Sequence, residues 1–280
     1  MTPLTLSTTP RDVPENFPGL LDLLAARPQP ALVWYGAARE RTTDPERVEL
    51  SGRVLQNWAV KMIGLFREEL DEPLSGSHHL VVLDAAPHWK AAAAGLAAGA
   101  LGAEVHVLGR GSAAEHSGSA SETSARAAIG ALSEAPDLVV TDRPRSWAEG
   151  ALADALGDAE LAALSPGLLD PSFEAGAGES IPAWVLDVSA EVRQHPDQLL
   201  DPLDAVSLPS PGDPVPGAVV VPSGSQRPPL HAWRALSWRG DAAEQVLGVW
   251  AHSGTVVLFD ADPAEAPESW NAMLRNESPS

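Results

Sequence analysis

Along residues 54–70 the apolar side chains Val54, Leu55, Trp58, Met62, Leu65, Phe66 and Leu70 recur at spacings of three and four. That is the period of one helix face, and it is the strongest such stripe in the chain. Ser51 stands where a helix cap belongs, so a helix is predicted over 51–70. Residues 31–35 and 47–50 instead read as two short strands joined by a charged turn. Residues 80–84 form a short, continuous apolar run ending in an aspartate, which suits a strand buried on both faces. Further strands are predicted over 104–108, 138–141, 184–188, 218–221 and 255–259. Helices are predicted over 20–26, 87–101, 123–133, 147–156, 242–252 and 263–274. Pro87 opens one of them and Gly102 closes it. The Gly/Ser/Ala-rich stretch 109–121 reads as a flexible loop, and 165–182 as loop-rich.

Short apolar strands alternating with helices predict an α/β fold with a mostly parallel, helix-flanked sheet. The punctuation of the chain predicts its organisation. Residues 1–18, rich in Pro, Ser and Thr, form an extended N-terminal arm. Residues 19–194 form a first α/β unit. A proline-dense connection spans 195–216, and 217–280 is a second α/β segment packed on the same core.

Composition narrows the chemistry. The chain has 280 residues, enough for a substantial core, and no cysteine, which excludes thiol catalysis, disulfides and cysteine–zinc sites. The formal net charge of −20 repels a nucleic-acid backbone, and no basic stripe overrides it. No apolar run approaches the ~18 residues of a membrane helix, and residues 1–10 lack a secretory pattern, so the expected location is cytoplasmic. The expected partners are therefore an unknown protein or a small molecule, with neither nucleic acid nor membrane. Lys61 and Lys90 are the only lysines, so any lysine-dependent mechanism has two candidates.

Taken in order, several segments resemble the N-terminal part of the adenylate-forming superfamily, which includes acyl-CoA synthetases and adenylation domains. They are Pro30-Ala31-Leu32-Val33, then Val48-Glu49-Leu50-Ser51 with its long helix. Leu80 to Pro87 follows with its helix, then Gly99, Gly102 and Ala103 before a strand. Asp137-Leu138-Val139-Val140-Thr141-Asp142 completes the series. The resemblance implies a front α/β subdomain and, next, a Ser/Thr-Gly-rich phosphate loop ending in Pro-Lys-Gly. The place reads Val220-Val221-Pro222-Ser223-Gly224-Ser225-Gln226-Arg227-Pro228-Pro229. Ser223, Gly224, Ser225, Gln226 and Arg227 are thus the candidate nucleotide-binding residues of a degenerate loop. The second glycine is lost and Pro229 occupies the lysine position. The sequence ends at Ser280, ahead of the family's later adenine, magnesium, ribose and catalytic-lysine motifs. The implied protein is a truncated, catalytically degenerate relative that acts as a binding or interaction module. No catalytic residue and no resident cofactor are assigned, and ATP or AMP is the nucleotide to test. A minimal ATP-dependent ligase completed in trans, and a structural or oligomeric protein, are the alternatives.

Other candidates are weaker. His78, His79, His88 and His106 lack metal-ligand spacing, so no metal is expected. Ser223 lacks the Gly-x-Ser-x-Gly setting of a nucleophile. Gly109-Arg110-Gly111-Ser112 lacks the third glycine of a phosphate loop. Asp84 and Asp142 end strands, where open α/β sheets place ligands, and turn capping is their competing role. Trp58 and Trp250 lie on apolar helix faces and are expected in the core. Trp89, Trp233, Trp238 and Trp270 fall near predicted loops or helix ends, where they would mark a partner surface.

Overall fold

The computed structural model describes residues 13–36, 46–70, 74, 79–109, 119–165, 167, 169–209, 218–222, 234–235 and 238–277. The first helix, α1 (Phe17–Ala25), begins inside the stretch expected as an arm, because Asn16 caps it by accepting the Gly19 N–H at 2.9 Å. Strands β1 (Pro30–Tyr35) and β2 (Arg47–Ser51) pair antiparallel, and Ser51 caps α2 (Gly52–Glu68) as its sequence predicts. Then follow β3 (Leu80–Asp84), α3 (Trp89–Ala100), β4 (Glu104–Val107), α4 (Ser119–Gly130) and β5 (Leu138–Thr141). The short elements α5 (Pro144–Ala148), α6 (Ala153–Leu156), β6 (Glu160–Ala163), α7 (Phe173–Ala177), β7 (Leu186–Asp187) and α8 (Val188–Glu191) come next. The chain continues with β8 (Ala218–Pro222), β9 (Arg234–Ala235), α9 (Ala242–Ala251), β10 (Thr255–Phe259) and α10 (Pro267–Glu277).

Among the described residues, ten strands make two five-stranded sheets. One has the order β2-β1-β10-β8-β9 and is parallel except for the edge strand β2. The other, β4-β3-β5-β6-β7, is parallel throughout. The fold is thus α/β with helix-flanked parallel sheets. Early and late parts of the sequence share the first sheet, since β1 pairs with β10 from Leu32↔Val256 to Tyr35↔Phe259.

Strand alternation divides the core. Leu32, Trp34, Val256 and Leu258 of the first sheet face the same apolar cluster as Val81, Leu83, Leu138 and Val140 of the second, with α1, α2, α3 and α9 between them. Val33, Tyr35, Val257 and Phe259 point the other way, against Trp270 and Met273 of α10. Val82, Val139 and Leu161 face outward from the second sheet onto Trp147, Leu152 and Phe173. The result is five layers, helix–sheet–helix–sheet–helix. Every residue of α3 is buried, which explains a helix written almost wholly in alanine and glycine. At Gly99 an added Cβ would lie 2.6 Å from the Phe17 ring, so α1 and α3 approach too closely for any other residue.

The differences from expectation have local causes. Glu160–Ala163 is a strand although it resembles a helix in composition; it pairs with β5 from Leu138↔Glu160 to Thr141↔Ala163. The helix expected over 147–156 splits into α5 and α6, with Gly150 at the break. Helix α4 starts at Ser119, inside the expected loop. Val54 sits on the exposed side of α2 and does not join its buried stripe. The described part of the proline-dense connection, 195–209, returns along α1: Phe17 N–H donates to Val206 O at 3.0 Å and Leu208 N–H to Glu15 O at 2.9 Å.

Two buried polar groups lock the first sheet. The Arg27 guanidinium donates to Gly254 O and Pro30 O, each at 2.7 Å, and to Thr255 Oγ1 at 3.0 Å, joining the end of α1 to β1 and β10. Replacing it with methionine removes charged donors from carbonyls that have left water. Arg27→Met is expected to cost about 3 kcal/mol in urea unfolding, with the m-value unchanged. Tyr35 donates to Glu277 Oε1 at 2.7 Å and accepts from Arg47 Nε at 2.8 Å, tying β1 and β2 to α10. Burial and then the bond to Glu277 push its hydroxyl up to about 12 from 10.0. A raised folded-state value means full stability below pH 10 that is lost as pH climbs through 12. Unfolding titrations should show that loss in the native protein and a flatter profile in Tyr35→Phe.

Candidate functional site

Parallel strands deliver their C-terminal ends to one rim, and this molecule has two such rims. On the first sheet, β1, β10 and β8 end in register, with Tyr35 opposite Phe259 and Phe259 opposite Pro222. The Asp260 N–H donates to Tyr35 O at 2.9 Å and continues the ladder by one residue. Strand β8 ends at this rim with Pro222, the residue that precedes the expected nucleotide loop in the sequence. Ser223, Gly224, Ser225, Gln226 and Arg227, with Pro229 and Trp233, lie outside the described residues.

The second sheet has its own switch point. Strands β4 and β5 flank β3, so the chain departs to opposite sides from β3, and the crevice between the ends of β3 and β5 is where a ligand belongs on topological grounds. Asp84 and Asp142 stand there, as their sequence positions suggest. The crevice is filled from within. Asp84 is 1% exposed and accepts Arg143 Nε at 2.7 Å, Arg143 Nη2 at 2.8 Å and Trp147 Nε1 at 2.7 Å. The Thr141 hydroxyl donates to the Asp84 carbonyl at 3.0 Å. Asp142 accepts the Ala86 N–H at 3.2 Å. Both carboxylates therefore hold the turns after β3 and β5, the structural alternative. Trp238 covers the same end, donating from Nε1 to Ala85 O at 2.9 Å, while Gly240 bridges Val107.

Beside it lies a cluster that no motif announces. Lys90, in the first turn of α3, is 3% exposed and reaches the turn after β6. Its Nζ lies 2.6 Å from Ser165 Oγ, 2.6 Å from Gly167 O and 3.1 Å from Ser165 O. Ser165 Oγ in turn lies 2.6 Å from Ser189 Oγ, on α8. Burial pushes the Lys90 amine down to about 8, against partial relief from Asp170. A neutral amine here has two N–H groups for the two carbonyls and a lone pair for the Ser165 hydroxyl, so lysine, serine and serine form a proton-relay geometry. The relay leads nowhere. Both serines are buried, and the N–H groups of Ser189 and Ala190, the nearest oxyanion donors, are already given to Asp187 Oδ1 at 3.0 and 3.1 Å. The arrangement clamps the turns after β6 and β7 onto α3. The sequence carried one signal for it: a lysine inside an alanine helix with no polar neighbour must find its partners in the interior.

Lys61, the other lysine, donates its Nζ to His195 O, across from α2. No cluster of three or more possible metal ligands occurs among the described residues, and His88 is a core residue. Residues 110–112 and His78 lie outside the described residues. Three tryptophans expected at a surface are buried: Trp89 at 1%, Trp238 at 3% and Trp270 at 6% exposure. Their rings fill the gaps where helix ends meet the sheets. Among the described residues, the tryptophan facing solvent is Trp184, at 57%, placed by sequence in a strand that is in fact only Leu186–Asp187. A cleft of about 260 Å³ lies at the opposite end of the second sheet, lined by Gly99, Gly102, Glu104, Val206 and Glu244 among others. Two carboxyl groups, Glu104 and Glu244, line this cleft, and burial, then Asp241 and Glu104, raise the Glu244 carboxyl.

No helix among the described residues is long and apolar enough to cross a membrane. No protein-family model and no curated protein sequence matches the chain. Solved structures do match its fold. One is the acyl-CoA synthetase of Brucella canis, with a TM-score of 0.60 and 14% identity over 97% of this chain and 47% of that one. Another is the amide bond synthetase McbA of Marinactinospora thermotolerans, with a TM-score of 0.50 and 17% identity over 93% of this chain and 47% of that one. The chain spans about half the length of these enzymes, and its fold is that of the N-terminal portion of adenylate-forming enzymes.

Proposed function

We propose that this chain is a binding or interaction module built on the adenylate-forming scaffold and that it does not adenylate a carboxylate. The observation that carries this reading is the fate of its two lysines. Joining ATP to an acid brings polyphosphate charge against a carboxylate, and that charge needs a mobile cation or metal in a dry site. Lys61 and Lys90 both direct their ammonium groups at backbone carbonyls of distant turns. Pro229 stands where the resemblance calls for the loop lysine, leaving Arg227 as the loop's positive charge. The match to half of each enzyme's length supports an alternative, a ligase completed by a second chain. A third reading, an oligomer built on exposed tryptophans, keeps Trp184 as its candidate contact, since Trp89, Trp238 and Trp270 are buried.

ATP–pyrophosphate exchange with a panel of carboxylic acids is expected to match the no-protein control. Acid-dependent exchange that disappears in Arg227→Ala would overturn the proposal and establish the ligase. Titration calorimetry with ATP, AMP and acyl-CoA separates a nucleotide-binding module, which gives saturable heat, from one that recognises another partner.

The structural assignment of Lys90 has its own test. Its folded value, about 8, lies below the ordinary 10.5, so between those limits the unfolded chain binds more protons and stability rises with pH. The rise should be on the order of a few kcal/mol at most in denaturant unfolding and should vanish in Lys90→Met.

A further inference from the structure

The middle layer holds three buried nitrogens that have no hydrogen-bond partner among the described residues: Trp34 Nε1, His88 Nε2 and Trp89 Nε1. Their side chains are 2%, 7% and 1% exposed. They also form one group. The Trp34 and His88 rings are 4.5 Å apart between centroids and meet edge to face, and the His88 and Trp89 rings are 5.6 Å apart. Trp58 closes the side of Trp89 at 4.8 Å. The proton positions follow from the helix cap. His88 Nδ1 accepts the Lys90 N–H at 3.0 Å, so the neutral ring carries its proton on Nε2. All three nitrogens are therefore N–H donors, and none of the three can accept from another. Buried donors of this kind are rare in native proteins, and three in one cluster call for an acceptor that is not part of the fold.

The electrostatics select the acceptor. The cluster surrounds the first turn of α3, a 12-residue helix whose N-terminus carries positive partial charge. The Lys90 ammonium lies 5.7 Å from the centroid of the Trp89 ring, and its hydrogen bonds all go to neutral oxygens. Close aromatic packing leaves little room for a bulky group, and a multiply charged anion would lose too much hydration. We propose that Trp34, His88 and Trp89 form a buried binding site for a small monovalent anion of the halide type. It would sit between the sheets under the rim of β1, where the Trp34 ring lies against Gly36.

The test is a chloride titration of the ¹⁵N-labelled full chain, with sodium methanesulfonate holding ionic strength constant. Trp34→Phe and Trp89→Phe each delete one indole signal and so assign it. The expected result is that the Trp34 and Trp89 indole N–H signals and the His88 Nε2–H signal shift together with one saturable midpoint. His88→Asn keeps an oxygen to cap the helix but alters the donor, and should weaken that midpoint by about tenfold. Absence of a saturable shift overturns the proposal, as do separate midpoints for the three groups. Persistent contacts between the indole protons and a long-lived water at high chloride also overturn it, by showing that solvent is the acceptor. Saturation by formate or nitrate but not chloride overturns the halide assignment.

Discussion

Helix α3 is buried on every side between two sheets, and most of the remaining structure answers to that placement. A helix in this position has no face for water, so its residues must be apolar, and the spacing of the layers keeps them small. Ala91–Ala94 and Ala97–Ala98 meet both conditions. Larger side chains then come from the surroundings: Phe17 lies over Gly99, and Trp34, Trp89, Trp238 and Trp250 fill the wider gaps at the layer's ends. The polar exceptions in α3 and its cap carry the cost of the arrangement. Lys90 finds its oxygens across the core, and His88 is held neutral, its value lowered to about 3 by burial and then by Lys90.

The same economy governs the other cations. In a chain of net charge −20, positive groups are scarce and would be free to recruit anionic ligands if nothing held them. Those described here mostly bind backbone carbonyls. Arg27 holds Gly254 O and Pro30 O, Arg193 holds Leu169 O and Asp170 O, and Arg126 holds Ala151 O. Each guanidinium replaces the water that a turn's carbonyl would otherwise need, which lets short irregular connections pack against the sheets. This matters most over 164–194, where one two-residue strand, two short helices and a 3₁₀ turn offer little regular hydrogen bonding of their own.

Legibility in the sequence follows the number of residues that share a signal. The α2 stripe and the apolar strands 80–84, 138–141 and 255–259 were readable because their environment is uniform over several residues. Strand Glu160–Ala163 was not, since Glu-Leu-Ala-Ala favours a helix locally and becomes a strand only through its pairing with β5. The tryptophans near helix ends are illegible for a related reason: a helix end meets solvent in a shallow fold, while in a five-layer fold the ends of inner helices are covered. The Lys90–Ser165–Ser189 cluster unites residues up to 99 positions apart, a distance over which no local pattern carries information. The ordered series of elements did reveal the adenylate-forming fold, because it samples the whole chain and tolerates errors in any one segment.

The two rims show why shared topology does not transmit function. By strand order the crevice between β3 and β5 is the natural ligand site of the second sheet, yet it contains a bidentate Asp84–Arg143 pair, an indole donor and the Trp238 ring. An enclosed ion pair satisfied on this scale cannot open for a ligand without stranding a buried carboxylate, a penalty of several kcal/mol. The first sheet presents the other rim, where β8 and β1 end in register beside β10. That rim also overlies Trp34, whose indole N–H has no acceptor among the described residues. By the family resemblance, phosphate chemistry would call for a lysine at the position of Pro229. Both lysines of this chain hold turns elsewhere, and the physical case for a binding role rests on that redistribution of charge.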